Sequence, residues 1–175
     1  MAARNPGADG PPPAGPSAVP LDASGLRLVL GAHPEGVVAL AAVVNGALEG
    51  IAVSTFTPVS LEPALVSVCV AHTSTTWPRL RTAARLGISV LAEDHAQLGR
   101  RLASTGQDRF VGTSVTVGAS GAVLIDGACA WFDCSVEDEI TAGDHLIVVL
   151  AVLEVHHRPD VRPLVFHRSS FARLA

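Results

Sequence analysis

A chain of 175 residues in which 49% are hydrophobic can fill one core but is too short for two ordinary domains. The formal net charge of -4 comes without a clustered basic stripe, which argues against a nucleic-acid surface. The 3 cysteines, Cys69, Cys129 and Cys134, lack C-x-x-C spacing and sit in apolar, strand-like surroundings, so they read as small buried hydrophobes in a reducing compartment and not as a disulfide framework or zinc site.

Residues 1–20, mostly Ala, Gly, Pro and Ser, cannot bury enough apolar surface to offset the entropy of ordering, so a disordered tail is expected there and one domain over 21–175. The tail has no apolar signal core, and no later run is long enough to span a bilayer, so a cytoplasmic location without membrane contact is expected. Asp22 or Ser24 can cap a short helix through Leu26, Leu28, Val29 and Leu30, expected to cover one end of a sheet. Val37 to Val44 is an apolar run that ends at Asn45-Gly46, a strong hairpin signal, and Ile51 to Ser54 returns antiparallel to it.

Gly50 to Val70 is the stretch around which the chain is organised. Its ends are buried strands, and its middle, Thr55 to Pro63, is a corner crowded with hydroxyls and stiffened by Pro58 and Pro63. These hydroxyls either satisfy a turn or offer polar groups to a flat heterocycle. Leu65 to Ala71 is the next strand. Ser74-Thr75-Thr76 before Trp77-Pro78 has the grammar of a helix start running to about Ala84, and such a start either caps itself or also receives an anion. Arg79, Arg81 and Arg109 read either as phosphate contacts or as solvated surface residues.

Gly87 to Ala92 is a strand, and Asp94 can cap a helix with Ala96, Leu98, Leu102 and Ala103 on its apolar side. The rest is again β: Ala122 to Ile125, Ala128 to Val136, His145 to about Val155, and Pro163 to His167. Strands mostly linked as hairpins, with helices inserted between some of them, predict a mainly β protein, an antiparallel barrel with a few short helices. His156-His157 alternate across a strand and cannot readily chelate one ion, so no metal is assigned. There is no G-x-S-x-G and no G-x-G-x-x-G, which argues against a serine hydrolase and a Rossmann nucleotide site.

Several pieces occur in a telling order: Gly36-Val37-Val38, Gly50-Ile51-Ala52-Val53-Ser54-Thr55-Phe56, Val59-Ser60-Leu61-Glu62-Pro63, Ser74-Thr75-Thr76, Ser89-Val90-Leu91-Ala92, Asp108-Arg109-Phe110, Gly143-Asp144-His145 and Pro163-Leu164-Val165-Phe166. From about Pro34 to the C-terminus the chain resembles the flavin reductase family with the FMN-binding split-barrel fold. The resemblance implies a Greek-key type split β-barrel and a homodimer that moves hydride from NADH or NADPH to FMN, or FAD, and supplies reduced flavin to a partner monooxygenase. It implies that Ser54, Thr55 and Phe56 line the isoalloxazine ring with Ser60 close behind, that Ser74, Thr75 and Thr76 approach the ribityl phosphate, and that Glu93 and Asp94 lie beside the ribityl chain or ring edge. His145 would face the nicotinamide, as its catalytic residue, or else be an ordinary hydrogen-bonded histidine. Ser89 stands where many members have asparagine, and Phe171 where many have tyrosine. The alternative on the same barrel is a non-catalytic flavin-binding or flavin-storage protein.

Overall fold

The computed structural model of the protein describes residues 15–106 and 108–174. The tail expected over 1–20 therefore lies largely outside the described residues, of which 15–20 are exposed and irregular. The helix α1 (Ala23–Leu30) begins at Asp22, whose carboxylate accepts from the N–H groups of Ser24 and Gly25, as the capping grammar predicts. Its apolar side does not cover the sheet. Leu26, Leu28, Val29 and Leu30 are all exposed, because the chain leaves Gly31 for the short strand β1 (Glu35–Gly36) before those side chains meet a partner.

The strands β2 (Val38–Val44) and β3 (Ala47–Val53) form the expected hairpin, with Asn45 and Gly46 both at positive φ (51° and 78°) in a two-residue turn. Strand β4 (Thr57–Leu61) corrects the reading of Thr55 to Pro63 as a bare connection: much of it pairs antiparallel with β5 (Ala64–Ala71). It sits at the end of the ladder, where Pro58 can lack an N–H at no cost to a central pairing. Helix α2 (Trp77–Leu80) is shorter than its sequence predicts, since the chain must turn to enter β6 (Leu86–Val90), whose first residue is fully buried. A 3-10 turn over Glu93–His95 leads into α3 (Ala96–Ala103), so Asp94 lies inside that turn and is not its cap. The remaining strands are β7 (Val115–Val117), β8 (Val123–Ile125), β9 (Ala130–Ala142), β10 (His145–His157), β11 (Val165–His167) and β12 (Ser170–Ala172).

The main sheet is antiparallel and seven-stranded, in the order β3-β2-β6-β9-β10-β5-β4. Its two edge strands, β3 and β4, are separated in sequence only by Ser54, Thr55 and Phe56. Laid flat, edges six strand spacings apart would stand roughly 29 Å from each other, whereas so short a link reaches about 13 Å. The link therefore holds the two edge strands close together at one end, and the corner is the seam there. β2 and β6 sit inside the order with both faces covered, which explains the unbroken apolar sequence of β2 and the single polar side chain, Ser89, in β6. One face of β2, with Leu40 and Ala42, joins Val68, Ile88, Cys134, Val148 and Leu150 in one core. The other face, with Ala39, joins Leu91, Leu98, Leu102, Ile125 and Leu164 in a second core against α3 and the C-terminal hairpin. Ser89, buried in β6, accepts the N–H of Ile125 through its hydroxyl (2.9 Å) and so ties the two cores together.

Candidate active site

At the seam the Thr55 hydroxyl does the work of a missing strand. Thr57 pairs with Ser67, so an uninterrupted ladder would set Thr55 opposite Cys69. There Oγ1 accepts the Cys69 N–H (2.8 Å) and donates to the Cys69 carbonyl (3.2 Å). Ser54 Oγ donates to Glu35 Oε2 at 2.6 Å. The sequence leaves these hydroxyls either satisfying a turn or offered to a heterocycle; in the fold the hydrogens of Ser54 and Thr55 are both given to the protein.

The corner forms one wall of a groove of about 390 Å³. Ile51, Ala52, Val53, Val70, Ala71 and Leu102 give it an apolar side, while Ser54, Thr55, Thr73, Ser74, Thr75, Thr76, Arg109 and His145 give it polar positions. The fold thus brings together Ser54, Thr55, Ser74, Thr75, Thr76 and His145 from separate places in the sequence. Phe56 is not among them; it packs into the first core against Phe132 (ring centroids 5.4 Å apart). Ser60 lies in β4 opposite Leu65. Glu93 is held by its N–H to the Arg162 carbonyl (3.0 Å), and exposed Asp94 lines a different cavity with His95 and Asp126. Within one chain these four stand apart from the groove.

The turn before α2 lines the groove as well. Ser74 Oγ accepts the Trp77 N–H (3.2 Å), and Thr76 Oγ1 accepts from Arg109 Nη1 (2.8 Å), so each hydroxyl keeps its own hydrogen for another partner. Arg109 Nη1 also donates to the Gly50 carbonyl (2.9 Å), which leaves Nη2 without a hydrogen bond among the described residues. A side chain at Gly50 would strike the Phe110 ring, 2.6 Å from an added Cβ, so the bare glycine lets Phe110 reach the second core while Arg109 reaches the groove. Arg109 is thus tied to the protein at one nitrogen and is not a purely solvated surface residue. Arg79 instead forks onto Glu49 (2.7 and 2.9 Å), and that hydrogen bond holds the Glu49 carboxyl below the usual carboxylate range. The pair lines a neighbouring cavity of about 620 Å³ that shares Thr75, Thr105 and Arg109 with the groove.

His145 opens β10 at the groove's rim, opposite Ala71. Its Nδ1 lies 2.7 Å from Asp144 Oδ1, and this hydrogen bond lowers the Asp144 carboxyl below its ordinary value. With Nδ1 facing the carboxylate, Nε2 is the ring nitrogen left for the groove. Sequence reasoning passed over Thr73, Thr105 and Cys69 as lining residues and Glu35 as a partner of Ser54; no local pattern marks them.

A groove lined by apolar side chains, by hydroxyl acceptors from the corner and by an arginine with hydroxyl donors from the turn suits a planar heterocycle carrying a phosphate. Relatives point the same way. A flavin reductase of Pseudomonas putida is 35% identical over 156 residues, 89% of this chain and 92% of its own. The reductase subunit HsaB of a flavin-dependent monooxygenase from Rhodococcus jostii is 31% identical over 86% of this chain and 77% of its own. Among solved structures, the NADH:FAD oxidoreductase SgcE6 of Streptomyces globisporus, in complex with NAD and FAD fragments, superposes with a TM-score of 0.85 at 31% identity, covering 92% of this chain and 98% of that one. The flavin reductase like domain matches residues 30–175, and the chain belongs to that family.

Proposed function

We propose that this protein is an NAD(P)H-dependent flavin reductase that takes hydride from NADH or NADPH to FMN, or to FAD, and hands the reduced flavin to a partner monooxygenase. The observation that carries the reading is the groove itself, lined both by the corner that joins the two sheet edges and by an arginine-anchored turn. Flavin, when bound, supplies the electron-accepting ring that no side chain here provides. The protein's part is orientation. Arg109, Ser74 and Thr75 hold the phosphate; Ile51, Ala52, Val70 and Leu102 keep water from one side; Ser54 and Thr55 meet the ring edge. His145, its Nδ1 engaged by Asp144, turns Nε2 toward the nicotinamide and orients it.

The same reading takes the main sheet as the split barrel of the family and the protein as a cytoplasmic homodimer. Its support for the dimer is apolar surface that one chain leaves bare: Leu26, Leu28, Val29 and Leu30 on α1, with Ile140, Leu153 and Val155 on β9 and β10. Among the described residues no helix is long and apolar enough to cross a membrane.

The test is an anaerobic titration with FMN and FAD followed by coenzyme oxidation. Oxidation of NADH or NADPH that depends on added or bound flavin is the expected result. A protein that binds flavin and leaves both coenzymes untouched is a storage protein on the same fold, and one that binds neither flavin ends the proposal.

A further inference from the structure

Glu35 stands in β1, opposite Phe166 of β11, and does not itself line the groove; Ser54 does. Between them runs the 2.6 Å hydrogen bond in which the serine hydroxyl is the donor. A hydroxyl has one hydrogen and two lone pairs. With its hydrogen committed to the carboxylate, Ser54 has only lone pairs left to offer a ligand.

We infer that Glu35 is a positioning residue that fixes Ser54 as a hydrogen-bond acceptor toward the flavin ring, and that it thereby biases the groove toward the reduced ring. This rests on the flavin reading above. An oxidised flavin presents bare N1 and N5 beside its carbonyl oxygens and keeps N3–H as its one ring donor, whereas reduction adds N–H at N5, and at N1 when the reduced ring is neutral. An acceptor placed at N5 gains a partner on reduction, as one at the unchanging N3–H would not; a freely rotating hydroxyl there can instead donate and favour the oxidised ring. Glu35 also carries a charge of its own, and that charge by itself opposes an anionic reduced ring. The two effects have opposite signs, so the direction of the response tells them apart.

The experiment compares dissociation constants of oxidised FMN and of dithionite-reduced FMN, with a parallel FAD series, for the intact protein, Glu35→Leu, Ser54→Ala and the double variant. Glu35→Leu is expected to raise the reduced-to-oxidised ratio of dissociation constants about tenfold, the worth of one hydrogen bond. In the Ser54→Ala background the same change should do nothing of that sign, because Glu35 acts through the hydroxyl. Glu35→Gln keeps an acceptor oxygen and removes the charge, so its ratio should stay level or fall and should not rise. Glu35→Asp keeps the charge but withdraws the acceptor by one methylene, and should move the ratio the same way as Glu35→Leu even if the latter fails to fold. A ratio that falls in Glu35→Leu, one that stays constant in both Glu35→Leu and Glu35→Asp, or a tenfold rise that persists without Ser54 overturns the role of Glu35 and leaves the flavin reading standing. Loss of all flavin binding in the intact protein removes both.

Discussion

The corner and the turn that line the groove are built from the same kinds of side chain and present opposite polarity. At the corner, Ser54 and Thr55 give their hydroxyl hydrogens to Glu35 and to the Cys69 carbonyl. At the turn, Ser74 and Thr76 receive hydrogens from the Trp77 N–H and from Arg109, and so retain their own. The lesson is that a row of hydroxyls does not specify a ligand until the fold says which way each one points. Here the corner can accept and the turn can donate, which separates a place for ring N–H groups from a place for phosphate oxygens.

The largest test of that contrast is Arg109→Gln. It should weaken FMN and FAD binding by about 10- to 100-fold, the scale of a charge-assisted hydrogen bond, while leaving riboflavin, which has no phosphate, nearly unaffected. Equal losses for all three in equilibrium titrations would erase the distinction between corner and turn. Next is Thr55→Val, which leaves the Cys69 N–H and carbonyl without their partner and should lower unfolding free energy by about 1–3 kcal/mol in urea melts. The preference for FMN over riboflavin should survive it. Unchanged stability would show that the hydroxyl clamp contributes nothing to the seam.

Thiol labelling of the native protein gives a smaller but local signal. Cys69 is half-buried on the groove, whereas burial pushes the Cys134 thiol up to about 12 and also raises that of Cys129. Mass spectrometry should find Cys69 modified first, and bound flavin should slow it; labelling indifferent to flavin would take the ligand away from the corner. The smallest expected effect is that of Arg79→Gln. Its guanidinium is half-exposed and is already spent on Glu49, so flavin affinity should change by less than about threefold. A loss as large as that for Arg109 would relocate the phosphate to the neighbouring cavity.

What could be read along the chain is what local chemistry decides. Asn45-Gly46 set the hairpin, Asp22 the start of α1, and the apolar runs most of the strands. Strand β4 escaped because Pro58, Ser60 and Pro63 look like a loop; only the ladder shows that an edge position tolerates them. The rest depended on contacts between distant residues. Phe56 looks like a ring-lining aromatic until Phe132 is seen beneath it, and Arg109 looks like a surface charge until its partners, 33 and 59 residues away, are known. Local grammar also overstated α1, whose cap at Asp22 is as read and whose expected cover on the sheet is not.

The burial of Trp77 carries a practical consequence. The chain has 2 tryptophans and no tyrosine, so its ultraviolet emission comes from Trp77 and Trp131 alone. Trp77 is 3% exposed, its indole N–H donates to Glu139 Oε1 at 2.7 Å, and it follows Thr76 directly in the chain. An indole so fixed, one peptide bond from the donor turn, serves as an internal lamp: dimming on ligand entry would report occupancy without any dye, and a Trp131→Phe background would leave that light to a single source.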